Sequence, residues 1–211
     1  MEYRTVLHES HIETIVNKSR FLACACHTPD EASALAFIQN ARDRYPDATH
    51  HCYGYIVGEG GNTLRFSDDG EPSGTAGMPI LQVIEKRGLS RTTVIVTRYF
   101  GGIKLGAGGL VRAYGGAAGE ALDAAGLAGV RSCPRGRLTV EYSDYGAVEH
   151  WLSVNNIPVN NTDYAERIVT DVTAIHGWDS LTGQLADLTA GRIHCEQTGT
   201  ADYKCPLTDR E

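Results

Sequence analysis

The residues best equipped for chemistry lie between positions 50 and 115 of this 211-residue chain. The run Thr97-Arg98-Tyr99-Phe100-Gly101-Gly102-Ile103-Lys104-Leu105-Gly106-Ala107-Gly108-Gly109-Leu110-Val111-Arg112-Ala113-Tyr114 joins an apolar segment to a helical one through five glycines. Glycines let backbone N–H groups approach a ligand without Cβ interference, and a helix N-terminus favours anions. Gly101, Gly102, Gly106, Gly108 and Gly109, flanked by Arg98, Lys104 and Arg112, therefore form a candidate contact for phosphate or nucleic acid. The same glycines also suit a tight strand-to-helix turn and close helix packing, and the two readings coexist. Standard nucleotide motifs fail. Ala107 stands where a phosphate-binding loop needs lysine, and Val111 stands where the dinucleotide fingerprint needs its third glycine.

A second group is Asp68, Asp69, Glu71 and Ser73, in a stretch too rich in glycine, proline and acid for regular structure. Its carboxylates could hold a hard cation or supply a general base. They equally suit the task of accepting from backbone N–H groups in a long loop. Calcium-loop spacing is absent, and Glu71 occupies the place of the leading glycine of a serine-nucleophile elbow. The third group is His50-His51, on a strand-like run. Adjacent strand residues face opposite ways, so this pair cannot chelate one metal, and one ring should point inward and the other outward. His50, His51, Asp68, Asp69, Glu71 and Ser73 thus form a possible accessory site. No metal, cofactor or catalytic residue is assigned.

The elements that must position these groups follow from periodicity. Residues 12–26 predict two strands, or one bent strand, interrupted at Asn17-Lys18-Ser19. Thr28 as cap, Pro29 at the first position and Glu31 in a capping box predict a helix with Leu35, Ile38, Ala41 or Arg42, and Tyr45 on one face. Residues 49–57 and 63–67 predict strands joined by the turn at 58–62, and the loop 68–79 runs into a helix over about 77–87. Residues 92–98 read as a central strand. The helix from about 108 to 125 should bury Leu110, Val111, Tyr114, Ala118, Ala121, Leu122 and Ala125. Beyond a turn at Cys133-Pro134-Arg135-Gly136, the pattern is βαββαβ. Strand 137–142 turns Leu138, Val140 and Tyr142 inward, a helix covers 145–155, and strands lie near 157–164 and 167–176. The next helix carries Trp178, Leu181, Leu185 and Leu188, and a last strand covers 192–198.

Composition sets outer limits. Residues 1–136 hold 14 Lys/Arg and 14 Asp/Glu, whereas residues 137–211 hold 5 and 12, which is the whole net charge of −7. Within the neutral part, residues 86–112 carry Lys86, Arg87, Arg91, Arg98, Lys104 and Arg112 and no acid, a candidate anion-facing surface. No stretch approaches the ~18 apolar residues of a membrane span, and the polar start shows no signal peptide, so a cytoplasmic protein is expected. Six cysteines without a Cys-x-x-Cys pair read as buried small hydrophobes, with Cys24 and Cys26 on one strand face.

Taken together, residues 50–55, 66–81 and 98–114, with Lys18-Ser19-Arg20-Phe21, resemble the YigZ/IMPACT family of uncharacterised or translation-linked proteins. The resemblance covers nearly the whole chain. Its N-terminal motifs are highly specific, and the C-terminal half matches mainly by pattern. It implies an α+β protein. Residues 1–133 would form an IMPACT-like domain with the left-handed βαβ fold seen in domain 2 of a ribosomal protein, the GHMP kinases and domain IV of elongation factor G. Residues 137–211 would form a ferredoxin-like domain similar to domain V of that factor. Eukaryotic members work by protein–protein contact in stress control of translation initiation. They carry a different accessory domain, absent from these residues, so that partner is not carried over. No established reaction comes with the family.

The leading expectation is a non-enzymatic, translation-linked protein that contacts the ribosome, structured RNA or a translation-associated protein through the glycine-rich basic loop. One alternative is an enzyme acting on a phosphorylated small molecule or nucleotide at the same loop, which requires a concave pocket joining the glycine loop to the acidic one. A second is a pure protein-interaction module.

Overall fold

The computed structural model describes residues 2–207 and has the α+β, two-domain architecture. In chain order the first elements are β1 (Tyr3–Val6), β2 (Ser10–Val16), β3 (Ser19–His27), α1 (Glu31–Arg44), β4 (His50–Val57) and β5 (Thr63–Ser67). They are followed by α2 (Gly77–Lys86), β6 (Thr92–Tyr99) and α3 (Ala107–Ala125). The remainder comprises β7 (Leu127–Val140), α4 (Tyr142–Val154), β8 (Val159–Tyr164), β9 (Ile168–Thr173), α5 (Trp178–Leu188) and β10 (His194–Pro206). The described residues divide into two compact units, one of residues 2–130 with 204–207 and one of residues 131–203.

In the first unit the β-branched β6 is central, in an antiparallel sheet of order β2-β3-β6-β4-β5. The Asn17-Lys18 interruption is the β2–β3 hairpin turn, with both residues at positive φ, 46° and 65°. Alternation along the strands divides the core between the two faces of the sheet. Phe21, Ala23, Cys52, Val94 and Val96 pack with α2 and α3, while Cys24, Tyr55, Val57 and Ile95 pack with α1. Separately, β1 pairs with the first four residues of β7.

Several local expectations change. Helix α1 is capped by Asp30, which accepts from Ser33 N while the Ser33 hydroxyl accepts from Asp30 N. Thr28 is buried instead and bonds Thr93. The α1 face that packs is Ala34, Ile38 and Ala41, and Leu35 is 50% exposed. On α3 the buried stripe is the expected one except for exposed Val111. The supposed turn at 133–136 lies within β7, where Cys133 is buried and the Pro134 carbonyl accepts from Ala174 N. A proline survives there because Pro134 falls between the residues of β7 registered with β1 and those registered with β9, and uses only its carbonyl.

In the second unit, β7 from Arg135 pairs with β9 and β9 with β8, all antiparallel, while β10 lies on the other side of β7. The order β10-β7-β9-β8 is that of a ferredoxin-like βαββαβ unit. Its core holds Leu138, Val140, Val148, Leu152, Val172, Leu181 and Leu185. Tyr142 begins α4 and is exposed, as is Leu188. Glycine is required at Gly136, where a Cβ would come within 2.0 Å of the Trp178 ring.

Candidate functional site

The site is built around a carboxylate that the fold buries. Glu71 is 8% exposed, and its Oε1 accepts from Arg98 Nη1 at 2.6 Å and from the Tyr114 hydroxyl at 2.7 Å. Arg98, the penultimate residue of β6, is 4% exposed; its Nη2 donates to Ser19 Oγ at 3.2 Å, and the guanidinium lies between the Phe21 and Phe100 rings, 5.4 Å from each centroid. Ser19 Oγ also accepts from Gly101 N at 3.2 Å. The Arg98 Nε is buried with no protein partner. Burial forces the Tyr114 ionisation far upward, so this hydroxyl is a donor at any physiological pH. An ion pair this deep persists because both partners keep additional hydrogen bonds.

The two histidines stand on opposite faces, as strand geometry requires. His50 Nδ1 donates to the Asp69 carbonyl at 2.7 Å, which directs Nε2 towards Glu71 Oε1, 3.9 Å away. A carbonyl only accepts, so Nδ1 holds the proton. His51 lies on the α1 side, bonded through Nδ1 to Thr97 Oγ1 at 3.1 Å, and burial depresses its basicity. On the Glu71 side, Cys52 Sγ donates to the Asp68 carbonyl, and burial pushes this thiol up to about 12.

The acids of the 68–77 loop separate by task. Asp68 Oδ1 accepts from Ala76 N and Gly77 N, and its Oδ2 from Gly74 N, so this side chain organises the loop and the start of α2. Asp69 Oδ2 accepts from His51 N at 2.6 Å, and Arg42 lies 3.7 Å from its other oxygen. Ser73 is exposed at the loop's outer side. Among the described residues, no group of three or more His, Cys, Asp or Glu is arranged to hold a metal ion.

The glycine loop also divides. A Cβ on Gly101 would fall 2.0 Å from the Lys18 carbonyl carbon, so this glycine lets the loop cross the β2–β3 turn. Gly102 and Gly106 sit at φ +83° and +70°, conformations that L side chains avoid. Gly108 and Gly109 belong to the first turn of α3, which has no side-chain cap. A Cβ on Gly108 would meet nothing closer than Arg112 Nη1 at 3.6 Å. Lys104 and Arg112 are exposed. The two loops do meet: Glu71, Pro72, Arg98, Phe100, Lys104 and Gly106 line one cavity of about 310 Å³.

Sequence reasoning missed Ser19 and Tyr114 as partners of this network. A hydroxyl opening an apolar strand and a tyrosine inside an alanine-rich helical face were the available signals.

An Impact N-terminal domain model matches residues 17–122, and a domain of unknown function (DUF1949) matches residues 138–192. The IMPACT family member YvyE of Bacillus subtilis is 39% identical over 166 residues, covering 79% of this chain and 76% of its own length. The IMPACT family member YigZ of Escherichia coli is 40% identical over 153 residues, covering 71% and 74%. Among solved structures, a crystal structure of a hypothetical protein is 31% identical, covers 93% of this chain and 98% of its own, and superposes with a TM-score of 0.57.

Proposed function

The chain belongs to the IMPACT family, and from that premise we propose a translation-linked binding protein that contacts structured RNA of the ribosome through the open end of the glycine loop. The observation that carries this reading is an asymmetry of charge use. The neighbouring acids Asp68 and Glu71 are satisfied internally, whereas Lys104 and Arg112 are exposed beside the uncapped first turn of α3. The cationic side chains and the helix N-terminus therefore act on the same phosphate without competition. Arg98 supports this surface from below by fixing Glu71 and the start of the loop. The acid excess of residues 137–211 restrains non-specific binding to nucleic acid.

Phosphate contacts weaken steeply with salt. Co-sedimentation with ribosomes and their subunits should therefore show pelleting at low salt that is lost at high salt and in Lys104→Ala/Arg112→Ala. Unchanged pelleting of that double variant would remove the proposed surface.

The cavity joining the two loops favours a second reading, a small phosphorylated ligand held between Glu71, Arg98 and Lys104. Thermal stabilisation by nucleotides or phosphate esters, absent in Lys104→Ala, supports it. A flat response across such a panel counts against it.

A further inference from the structure

On the opposite face of the sheet, beneath α1, three other reactive side chains converge. His11 and Cys24 are direct cross-strand partners in β2 and β3, so their side chains share a face. His11 Nδ1 lies 3.0 Å from Cys24 Sγ. On the other ring nitrogen, Nε2 lies 2.9 Å from Glu9 Oε1. A carboxylate only accepts, so Nε2 carries a proton, and in the neutral ring Nδ1 is the bare nitrogen turned to the thiol. The three residues line a cavity of about 110 Å³, whose other wall is α1 and its cap, including Phe37, Asn40, Arg44 and Tyr45. Cys24 is 6% exposed, whereas the His11 and Glu9 side chains are 48% exposed at the mouth.

A nucleophile within hydrogen-bond reach of a base, with that base oriented by a third group, is the arrangement that activates a thiol. We propose that Glu9, His11 and Cys24 form a nucleophilic thiol site that takes a short acyl group from an activated ester or thioester. As Sγ attacks the acyl carbonyl carbon, Nδ1 of His11 takes the thiol proton. The adduct collapses with cleavage of the donor's C–O or C–S bond, and His11 returns the proton to the departing alcohol or thiol. The product is an S-acyl cysteine. Attack by water, deprotonated by the same nitrogen, releases the carboxylic acid and restores the thiol, with no net redox change. The small cavity limits the acyl group to one near acetyl in size, and Asn40 and Arg44 place hydrogen-bond donors on its wall.

Burial, and secondarily the Glu9 charge, hold the Cys24 thiol up at about 11, with Arg44 opposing. The resting thiol is therefore protonated, and removal of its proton by His11 accompanies attack. Two other thiols have backbone acceptors instead of an imidazole: the half-buried Cys26, also near Glu9, donates to the His27 carbonyl, and the buried Cys52 to the Asp68 carbonyl.

The test uses p-nitrophenyl acetate, following nitrophenolate release and mapping the acetyl group by mass spectrometry. Acetylation should be fastest at Cys24 and absent there in Cys24→Ala. His11→Asn should slow it by about 10²-fold, the range of a general base, with unchanged thermal unfolding. Glu9→Ala should slow it less, and Glu9→Gln, whose amide oxygen still accepts from Nε2, should restore it. Acetyl groups spread evenly over cysteines and lysines, or a His11→Asn rate equal to wild type, would overturn the proposal.

Discussion

The two loops that meet at the cavity use charge in opposite ways. In the 68–77 loop, Asp68 is consumed by three backbone N–H groups and Glu71 by Arg98 and Tyr114. In the glycine loop and the first turns of α3, Lys104 and Arg112 are exposed. Exposed surface charges add little to stability, whereas a buried charge is costly once its partner is gone. The first loop is therefore expected to dominate stability and the second to dominate recognition.

The largest effect should follow Glu71→Ala, which leaves Arg98 buried beside an empty acceptor position. Denaturant unfolding should show a loss of about 3–5 kcal/mol. Replacing both partners, as in Glu71→Leu/Arg98→Met, should recover much of it, because the cost lies in the unpaired charge. A single variant as stable as wild type would break the comparison at its strongest point.

Next comes Asp68→Ala, which strips acceptors from Gly74 N, Ala76 N and Gly77 N. It should cost about 2–3 kcal/mol, somewhat above a single lost helix cap. Asp68→Asn should lose less, since one amide oxygen remains.

The same burial predicts an alkaline limit. The Cys52 thiol is raised to about 12 when folded, against about 8.5 in the unfolded chain. A raised acid favours its neutral form, so its stabilisation is complete below about pH 8.5 and is lost as pH climbs towards the folded value. Tyr114, raised in the same direction, adds its own loss above about pH 10. Unfolding free energy measured from pH 7 to 11 should fall along this course, less steeply in Cys52→Ala.

The glycines sharpen the contrast further. Gly101→Ala should destabilise through its clash with Lys18. Gly108→Ala has room and should be neutral or stabilising by up to about 1 kcal/mol. If Gly108→Ala nonetheless weakens ribosome pelleting, that glycine serves backbone approach to a ligand. The smallest stability effect belongs to Lys104→Ala/Arg112→Ala, within about 0.5 kcal/mol of wild type, and thermal unfolding of the double variant checks it.

Much of this was legible before any tertiary structure. Alternation and β-branching located β4, β5 and β6, and helical spacing located α3 and α5, while α2 was only weakly signalled. Strand geometry alone put His50 and His51 on opposite faces, but not one inward and one outward, because both faces of this sheet are covered and both rings are largely buried. Legibility failed where two local signals competed. Asp30 and Thr28 both suit a cap, and the fold sends Thr28 inward to Thr93. Cys133-Pro134-Arg135-Gly136 has the composition of a turn, but strand pairing on both sides keeps it extended.

By itself, then, the sequence determined most of the elements, though not β1 or the first half of β7, together with the α+β class, the split between a neutral and an acidic half, and the family. The first three depend on periodicity and composition, which act over a few residues or over whole segments, and the family on its resemblance through residues 18–21, 50–55, 66–81 and 98–114. The tertiary structure alone decided which charges remain available. Arg98 meets Glu71 across 27 residues because β6 inserts between β3 and β4. His11 meets Cys24 because the β2–β3 register sets them opposite each other. A partner chosen by sheet order and register leaves no local trace, and both the buried ion pair and the thiol–imidazole contact are partnerships of that kind.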